Sequence, residues 1–522
     1  MRVLIIILSF FLMGSTYYVN PNSGTECDGD GCSVNHLYWL HPVKGNTSLL
    51  KEGDTVHVAS GEYEMGLNGP NDRKGTCDKS WPWSCYMNRI PKGVQIIGDC
   101  ANPPVFWGAE RADYIFNLNG SSDVTLKCLD ITDKADCIEF QTCNRGTFPY
   151  GKWADVGVDV RNTSNVVIDT IDIHGLSLYG LVMGNTSNLT VVDSKIRMNG
   201  WGGVDSRGSN SGDIKFIRTD IEYNGCSENE HGQPNKCWGQ QQGGYGDGLG
   251  SKKTKGNWYF EDTNFLHNTS DGLDLLYADT EGSVEIKGGT FEGNAGNQIK
   301  SGFQTTIQGA RIVGNCDYFS DKTLTWTGWG DDCRALGQTI ALAVKRPDQY
   351  FEIRDVTMTQ GHGDTILLTS GSCDGTQKLN IFDSTFEGGV DYHQPFENTA
   401  WHWGCIKDIN YSNVNVTGVK GGCPEGATCS SPTPIEPTSD DPPIVEVPSD
   451  PPVSELIEES TCPVCEECII PDTSECTIPS PKRITATQFR NGLKKCYERA
   501  LLGDPCEIFH NTYRETFILQ KL

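Results

Sequence analysis

Two segments, "NLTVVDSKIRMNG" (Asn188 to Gly200) and "DIKFIRTDIEYNG" (Asp213 to Gly225), follow one plan: a short strand-like run, a polar step, a second short run, and a turn at Asn-Gly. The plan recurs in "NVVIDTIDIHG" from Asn165, "NWYFEDTNFLHN" from Asn257, "SVEIKGGTFEGN" from Ser283 and "TTIQGARIVGN" from Thr305. Later copies are "YFEIRDVTMTQG" and "KLNIFDSTFEGG". The starts lie about 22 to 26 residues apart, except where the segment from Cys226 to Cys237 lengthens one coil. Short β-rich runs of period 2, punctuated by turns at a near-constant coil length, predict a solenoid of stacked parallel strands. The expected fold class is all-β, a right-handed parallel β-helix. A β-propeller would need repeats of about 40 residues, and a leucine-rich horseshoe a leucine pattern that is absent.

Stacking converts the repeat into columns. Asn199, Asn224, Asn268, Asn294 and Asn315 close equivalent strands and are expected to form an internal asparagine ladder. Three residues beyond these turns stand Gly202, Asp271 and Asn297, and six beyond stand Asp205, Asp274 and Lys300. Aligning "GDGLGS" (Gly246 to Ser251) with "NTSDGLDLL" (Asn268 to Leu276) puts Asp247 in the column of Asp271. Neighbouring strands lie about 4.8 Å apart, so Asp247, Asp271, Asp274 and Lys300 should converge on one patch of the wall. Gathered carboxylates repel one another and raise each other's pKa. A divalent cation removes that cost, and an oxygen-only donor set with no Cys or His suits Ca²⁺. The plainer reading of Asp-Gly is turn chemistry.

With these residues in view, "GDGLGSKKTKGNWYFEDTNFLHNTSDGLDLL" and "SVEIKGGTFEGNAGNQIKSG" resemble the active-site coils of the family 9 pectate lyases. These are calcium-dependent parallel β-helix enzymes that cleave polygalacturonate by β-elimination. The resemblance implies that Asp247, Asp271 and Asp274 hold Ca²⁺ and that Lys300 is the base. It implies an anionic polysaccharide as substrate. Ser270 stands where the family carries another aspartate, and the lysine stretch reads "NQIK". The openings "TYYVNPNSG" and "LKEGDTVHVASGEY" are similar to the first coil and cap of many β-helix lyases.

Local positive charge for neighbouring sugar carboxylates is offered by Lys252, Lys253 and Arg311, and further by Lys255, Lys345 and Arg346. Trp326, Trp329, Trp401 and Trp403 are candidates for stacking on sugar rings or for loop packing. Two rival readings belong to other classes. A polygalacturonase-like hydrolase would use paired carboxylates, and "GHGD" (Gly361 to Asp364) is one fragment of its pattern, with His362 otherwise a turn residue. A non-catalytic carbohydrate-binding or adhesive β-helix would need no base. "CDGDGC" (Cys27 to Cys32) lacks the rest of an EF-hand loop and reads as a disulfide-closed turn.

The expected compartment is read from the N-terminus: Arg2, the apolar run Val3 to Met13, then small residues read as a secretory signal over 1–15, and the run is too short for a membrane span. The 22 cysteines fit an oxidising compartment. Neighbour pairing would join Cys27 with Cys32, Cys77 with Cys85, Cys137 with Cys143, Cys226 with Cys237, Cys316 with Cys333, Cys373 with Cys405 and Cys423 with Cys429, leaving Cys100 for Cys128. A net charge of -26 argues against nucleic acid, because no basic face is evident to neutralise phosphates.

The solenoid is expected over 16–430. A Pro- and acid-rich linker with the "CPVCEEC" cluster then covers 431–480, and a small α+β module covers 481–522. The cluster reads as disulfide-forming more readily than zinc-binding. "RITATQFRNGLKKCYERALLGDPCEIFHNTYRETFIL" reads as strand, amphipathic helix and hairpin, and is similar in shape to the N-terminal half of the Phd/YefM antitoxins. A docking role toward an unknown partner is the expectation.

Overall fold

The computed structural model describes residues 14–41, 48–66, 88–146, 149–239, 245–278, 281–319, 337–360, 365–388, 400–417, 426–430, 507–509 and 516–518. The expected signal run, the expected linker, the "CPVCEEC" cluster, the expected C-terminal helix, His362, Trp326 and Trp329 lie outside them. So do Cys77, Cys85, Cys333 and Cys423.

Each coil of the solenoid has three strands, illustrated by Gly202–Ser206, Ser211–Ile217 and Asp220–Glu222. The last two are the two short runs of the sequence repeat. They pair in parallel with Asn257–Glu261 and Asn264–Leu266 one coil on, then with Ser283–Lys287 and Thr290–Glu292. The longer strands Thr125–Asp133 and Ser164–His174 span both runs and join them into one 25-stranded sheet. Among the described residues, the third strands from Ala112 onward form a separate ten-stranded parallel sheet running from Ala112–Asn117 to Ala400–Gly404. This is a parallel β-helix. That second sheet carries the site.

The polar step between the two runs is a corner in left-handed backbone conformation: Asp193 (φ 49°), Arg218 (φ 47°), Asp262 (φ 46°), Asp355 (φ 52°) and Asp383 (φ 47°) occupy it. Asn and Asp visit that region more readily than other side chains. The next residue is often Ser or Thr, whose hydroxyl bonds back across the corner: Ser194 Oγ donates to Val192 O (2.7 Å), and Ser384 Oγ to Phe382 O (2.7 Å). Inside, period-2 alternation buries one residue in two, so Ile196, Ile221, Phe265, Phe291 and Ile312 line a continuous core. Phe265 and Phe291 stack with centroids 5.1 Å apart.

Disulfides close Cys27–Cys32, Cys100–Cys128, Cys137–Cys143, Cys226–Cys237 and Cys373–Cys405, as neighbour pairing expects. The only helix among the described residues is Leu37–Leu40, so none there is long and apolar enough to cross a membrane. The chain divides into two compact units, 1–436 and 437–522. In the second, Glu507–Phe509 and Thr516–Ile518 pair antiparallel as a hairpin.

Candidate active site

The glycine of Asp-Gly-Leu is explained by what lies beneath it. Asn199 Nδ2 donates to Asn224 Oδ1 (3.0 Å), Asn224 Nδ2 to Asn268 Oδ1 (3.0 Å), and Asn268 Nδ2 to Asn294 Oδ1 (2.7 Å), all fully buried. A Cβ on Gly248 would stand 2.8 Å from Asn268 Nδ2, and one on Gly272 would stand 2.7 Å from Asn294 Nδ2. The ladder therefore occupies the space that an inward side chain would need. On the next coil the same position carries Gln298, whose Oε1 accepts from Asn294 Nδ2 (2.7 Å) and ends the ladder. Asn315, expected as the next rung, instead accepts from the backbone N–H of Gly293 (2.6 Å). Gln298 fills its place because a longer amide can reach Asn294 from within the same coil.

Leu249 and Leu273 lie in the core, Asp274, the residue after Leu273, is sent to the opposite face by the pleat, and Asp247 and Asp274 line the groove described below. Register pairs Gly202 with Asp247, Asp205 with Gly250, Gly250 with Asp274, and Asp274 with Lys300. One carboxylate oxygen of each aspartate is anchored by backbone. Asp247 Oδ1 accepts from Asp271 N (3.0 Å), Asp271 Oδ1 from Asn297 N (2.7 Å) and Asn297 Nδ2 (2.7 Å), and Asp274 Oδ1 from Leu276 N (2.8 Å). The second oxygens of Asp271 and Asp274 accept from Lys300 Nζ, at 2.7 and 3.2 Å. One oxygen from each of the three aspartates lies within 4.8 Å of the others. A Cβ on Gly250 would meet Asp247 Oδ2 at 2.6 Å, so only glycine leaves that carboxylate its position.

The electrostatics are unbalanced. Asp271 is fully buried, and Asp247 and Asp274 are nearly so. Burial, reinforced by Asp271 and Asp274, pushes the Asp247 carboxyl up to about 8. Burial pushes Asp274 up to about 6 against the pull of Lys300. Burial alone would lower the pKa of Lys300, but attraction to Asp271 and Asp274 outweighs it and raises the pKa. Three carboxylates face one ammonium, and the donor set is all oxygen with anchored outer atoms. Those properties fit a hard divalent cation. Ser270, where the resemblance expects another acid, is a fully buried hydroxyl beside Asp247.

The patch opens into a groove of about 460 Å³. Asp205, Asp247, Asp274 and Lys300 line it with Lys252, Arg207, and the rings of Tyr179, Trp201, Tyr245 and Tyr277. Trp201 is held by its Nε1–H to Glu139 O (2.8 Å) and by an edge contact with Tyr245 at 4.0 Å. Of the candidate cations, Lys252 reaches the groove. Lys253 is exposed and outside its lining, and Lys255 pairs with Glu281 at 3.4 Å. Arg311 is on the other sheet, paired with Glu292 beside it, so sequence distance misplaced it. Lys345 and Arg346 also lie outside the lining, and Trp401 and Trp403 sit on the last strand of the site sheet. Arg207, Tyr179 and Trp201 were missed in the sequence, although Trp201 and Arg207 flank the strand of Asp205 and Tyr179 starts the strand paired with it.

No known family profile matches the chain, and no curated protein matches it. Among solved structures it is similar to the A-module of the Azotobacter vinelandii mannuronan C-5 epimerase AlgE6 (14% identity, 70% of this chain and 91% of that one, TM-score 0.36). It is also similar to pectate lyase Pel9A (13%, 77% and 78%, 0.34) and to an alginate lyase from Paenibacillus sp. (10%, 70% and 92%, 0.31). At these identities and scores the likenesses carry no argument about chemistry.

Proposed function

We propose that the protein is an exported, calcium-dependent lyase that cleaves a uronate polymer, foremost pectate, by β-elimination with Lys300 as base. The observation that supports this reading is Lys300 Nζ at 2.7 and 3.2 Å from two of three buried aspartates, at the floor of a groove. Asp247, Asp271 and Asp274 would hold Ca²⁺, and the bound ion supplies positive charge that stabilises charge developing on the substrate carboxylate.

Lysine is a base only when neutral. In the geometry above, the aspartates hold Lys300 as an ammonium. Once the three carboxylates are committed to a cation, Lys300 loses its counter-charge and its pKa falls toward a useful range. The amine then takes the C5 proton, which is acidic because it lies α to a carboxylate. The C5–H electrons form the C4–C5 double bond, the C4–O bond breaks, and the glycosidic oxygen leaves with a proton from solvent. Lys252 in the groove lining would pair with a sugar carboxylate.

The test is ultraviolet absorbance of the unsaturated product on polygalacturonate at alkaline pH, with Ca²⁺ or chelator, for wild type and Lys300→Ala. A calcium-dependent rise that Lys300→Ala removes is expected. No rise on pectate, alginate or glycosaminoglycans would overturn the proposal. One observation favours a second reading, a non-catalytic carbohydrate-binding β-helix: Lys300 already bridges two of the carboxylates and so partly neutralises the wall.

A further inference from the structure

The site sheet carries a second, separate cavity of about 320 Å³, lined by Asp113, Tyr114, Asn117, Asn119, Asp159 and Arg161. Its chemistry repeats that of the main groove in register. "VDVR" (Val158 to Arg161) and "VDSR" (Val204 to Arg207) share the pattern Val-Asp-x-Arg. Asp159 pairs with Val182 and Val182 with Asp205, so the two aspartates share one column two coils apart. Tyr114 pairs with Val156 and Val156 with Tyr179, so two tyrosines share a second column at the same spacing.

Each arginine lies over the tyrosine of the preceding coil: Arg161 at 5.5 Å from the Tyr114 centroid, and Arg207 at 5.8 Å from that of Tyr179. Each is paired with its own aspartate. Arg161 donates Nε to Asp159 Oδ1 (2.9 Å) and Nη2 to Asp159 Oδ2 (2.8 Å) and to the Tyr114 hydroxyl (2.6 Å). Arg207 pairs through Nε with Asp205. Side chains held this way are pre-ordered, so a ligand need not immobilise them on binding. Arg161 keeps about a third of its side chain exposed and Arg207 about a half.

We infer that these two cassettes are successive stations of one glycan track, and that they hold the hydroxyl edge of alternate sugars of a linear pyranose polysaccharide lying along the solenoid axis. Two coils are about 9.6 Å. An extended chain with twofold symmetry presents the same edge at every second residue, which is the periodicity of the cassettes. At the outer station Asp113 and Asp159 face a single guanidinium, so another carboxylate is not favoured there. Hydroxyls are: the buried Asp159 carboxylate is filled by Arg161 and Asn119, which leaves Asp113 to accept from a sugar hydroxyl and Arg161 to donate to one. Asp159 lies four strand spacings from Asp274, about 19 Å, so only chains several sugars long reach both.

This inference rests on the proposed function for the class of ligand, and its test reads binding, so failure of cleavage leaves it standing. The probe is long-chain polygalacturonate in affinity electrophoresis, with Lys300→Ala as the non-cleaving parent. Adding Arg161→Ala should weaken retention about tenfold, the equivalent of one lost charge-assisted bond. Tyr114→Phe, which removes only the hydroxyl that positions Arg161, should weaken it less, and Lys253→Ala, an exposed lysine away from the groove, should not. Retention unchanged by Arg161→Ala, or lost equally in Lys253→Ala, overturns the track. No retention of any variant on pectate, alginate or a neutral glycan overturns both this inference and the proposed function.

Discussion

Two regions of the wall each hold a cation between carboxylates, and they differ in charge balance. Lys300 sits between Asp271 and Asp274 with Asp247 close by, one ammonium for three acids. On the 25-stranded sheet, His174 sits between Asp130 (2.9 Å) and Glu228, beside Arg197, which pairs with Asp172 at 2.9 Å and Glu228 at 3.5 Å. There two cations meet three acids, and neighbouring Asp133 is pushed well up by burial toward its neutral form. Glu228 comes from the hairpin Ser227–Glu228 and Pro234–Asn235 inside the Cys226–Cys237 loop. Asp136 ties down the same hairpin through Ser227, Asn235 (2.8 Å) and Lys236 (2.7 Å). A nearly balanced cluster locks two pieces of chain together. An excess of buried acid facing a groove locks no second piece of chain, and under the proposed function a bound cation would balance it.

The contrast breaks most sharply at Lys300. Lys300→Ala should lower the elimination rate by about 10² to 10⁴, the usual contribution of a general base, and stopped assays of product absorbance check it. His174→Ala should instead leave that rate within about twofold and cost about 3 kcal/mol of stability, as expected when buried acids lose their partner; denaturant unfolding reads this.

The same histidine gives a pH test. Burial would lower its pKa, but bonds to Asp130 and Glu228 outweigh burial and raise it to about 10. A folded pKa above the unfolded value of about 6.5 means that the contribution is complete below that value and is lost as pH rises through about 10. The unfolding midpoint of wild type should fall over this window, while that of His174→Ala stays flatter.

Calcium sharpens the other side. At a hundredfold excess over its Kd, Ca²⁺ should stabilise wild type by about 2.7 kcal/mol, and Asp271→Asn should abolish the shift in thermal midpoint. A shift retained in Asp271→Asn would place the ion elsewhere. The smallest effect belongs to Arg311→Ala. Its exposed pair with Glu292 is worth under about 1 kcal/mol, and it is away from the groove, so neither stability nor turnover should change measurably.

The repeat of coil length, the two short runs and the polar corner are local properties, because strand alternation and left-handed Asp or Asn depend on neighbours in the chain. They were legible, and with them the columns that bring Asp247, Asp271, Asp274 and Lys300 together. What strand counting missed depends on three-dimensional placement that spacing along the chain does not encode. Arg311 lies near Lys300 in sequence but on another sheet. Gln298 rather than Asn315 ends the ladder because the deciding factor is space beside Asn294. Trp201 and Tyr245 meet over the groove only because the long loop returns there.

Sequence alone therefore determined the solenoid and the membership of the acidic column, since both follow from a period repeated along the chain. Tertiary structure decided which oxygens face one another, which cations reach the groove, and that the Asp-x-Arg cassettes over Tyr114 and Tyr179 recur at two coils. Those depend on distances across the stack, and a linear pattern carries no information about side-chain direction until neighbouring coils fix it.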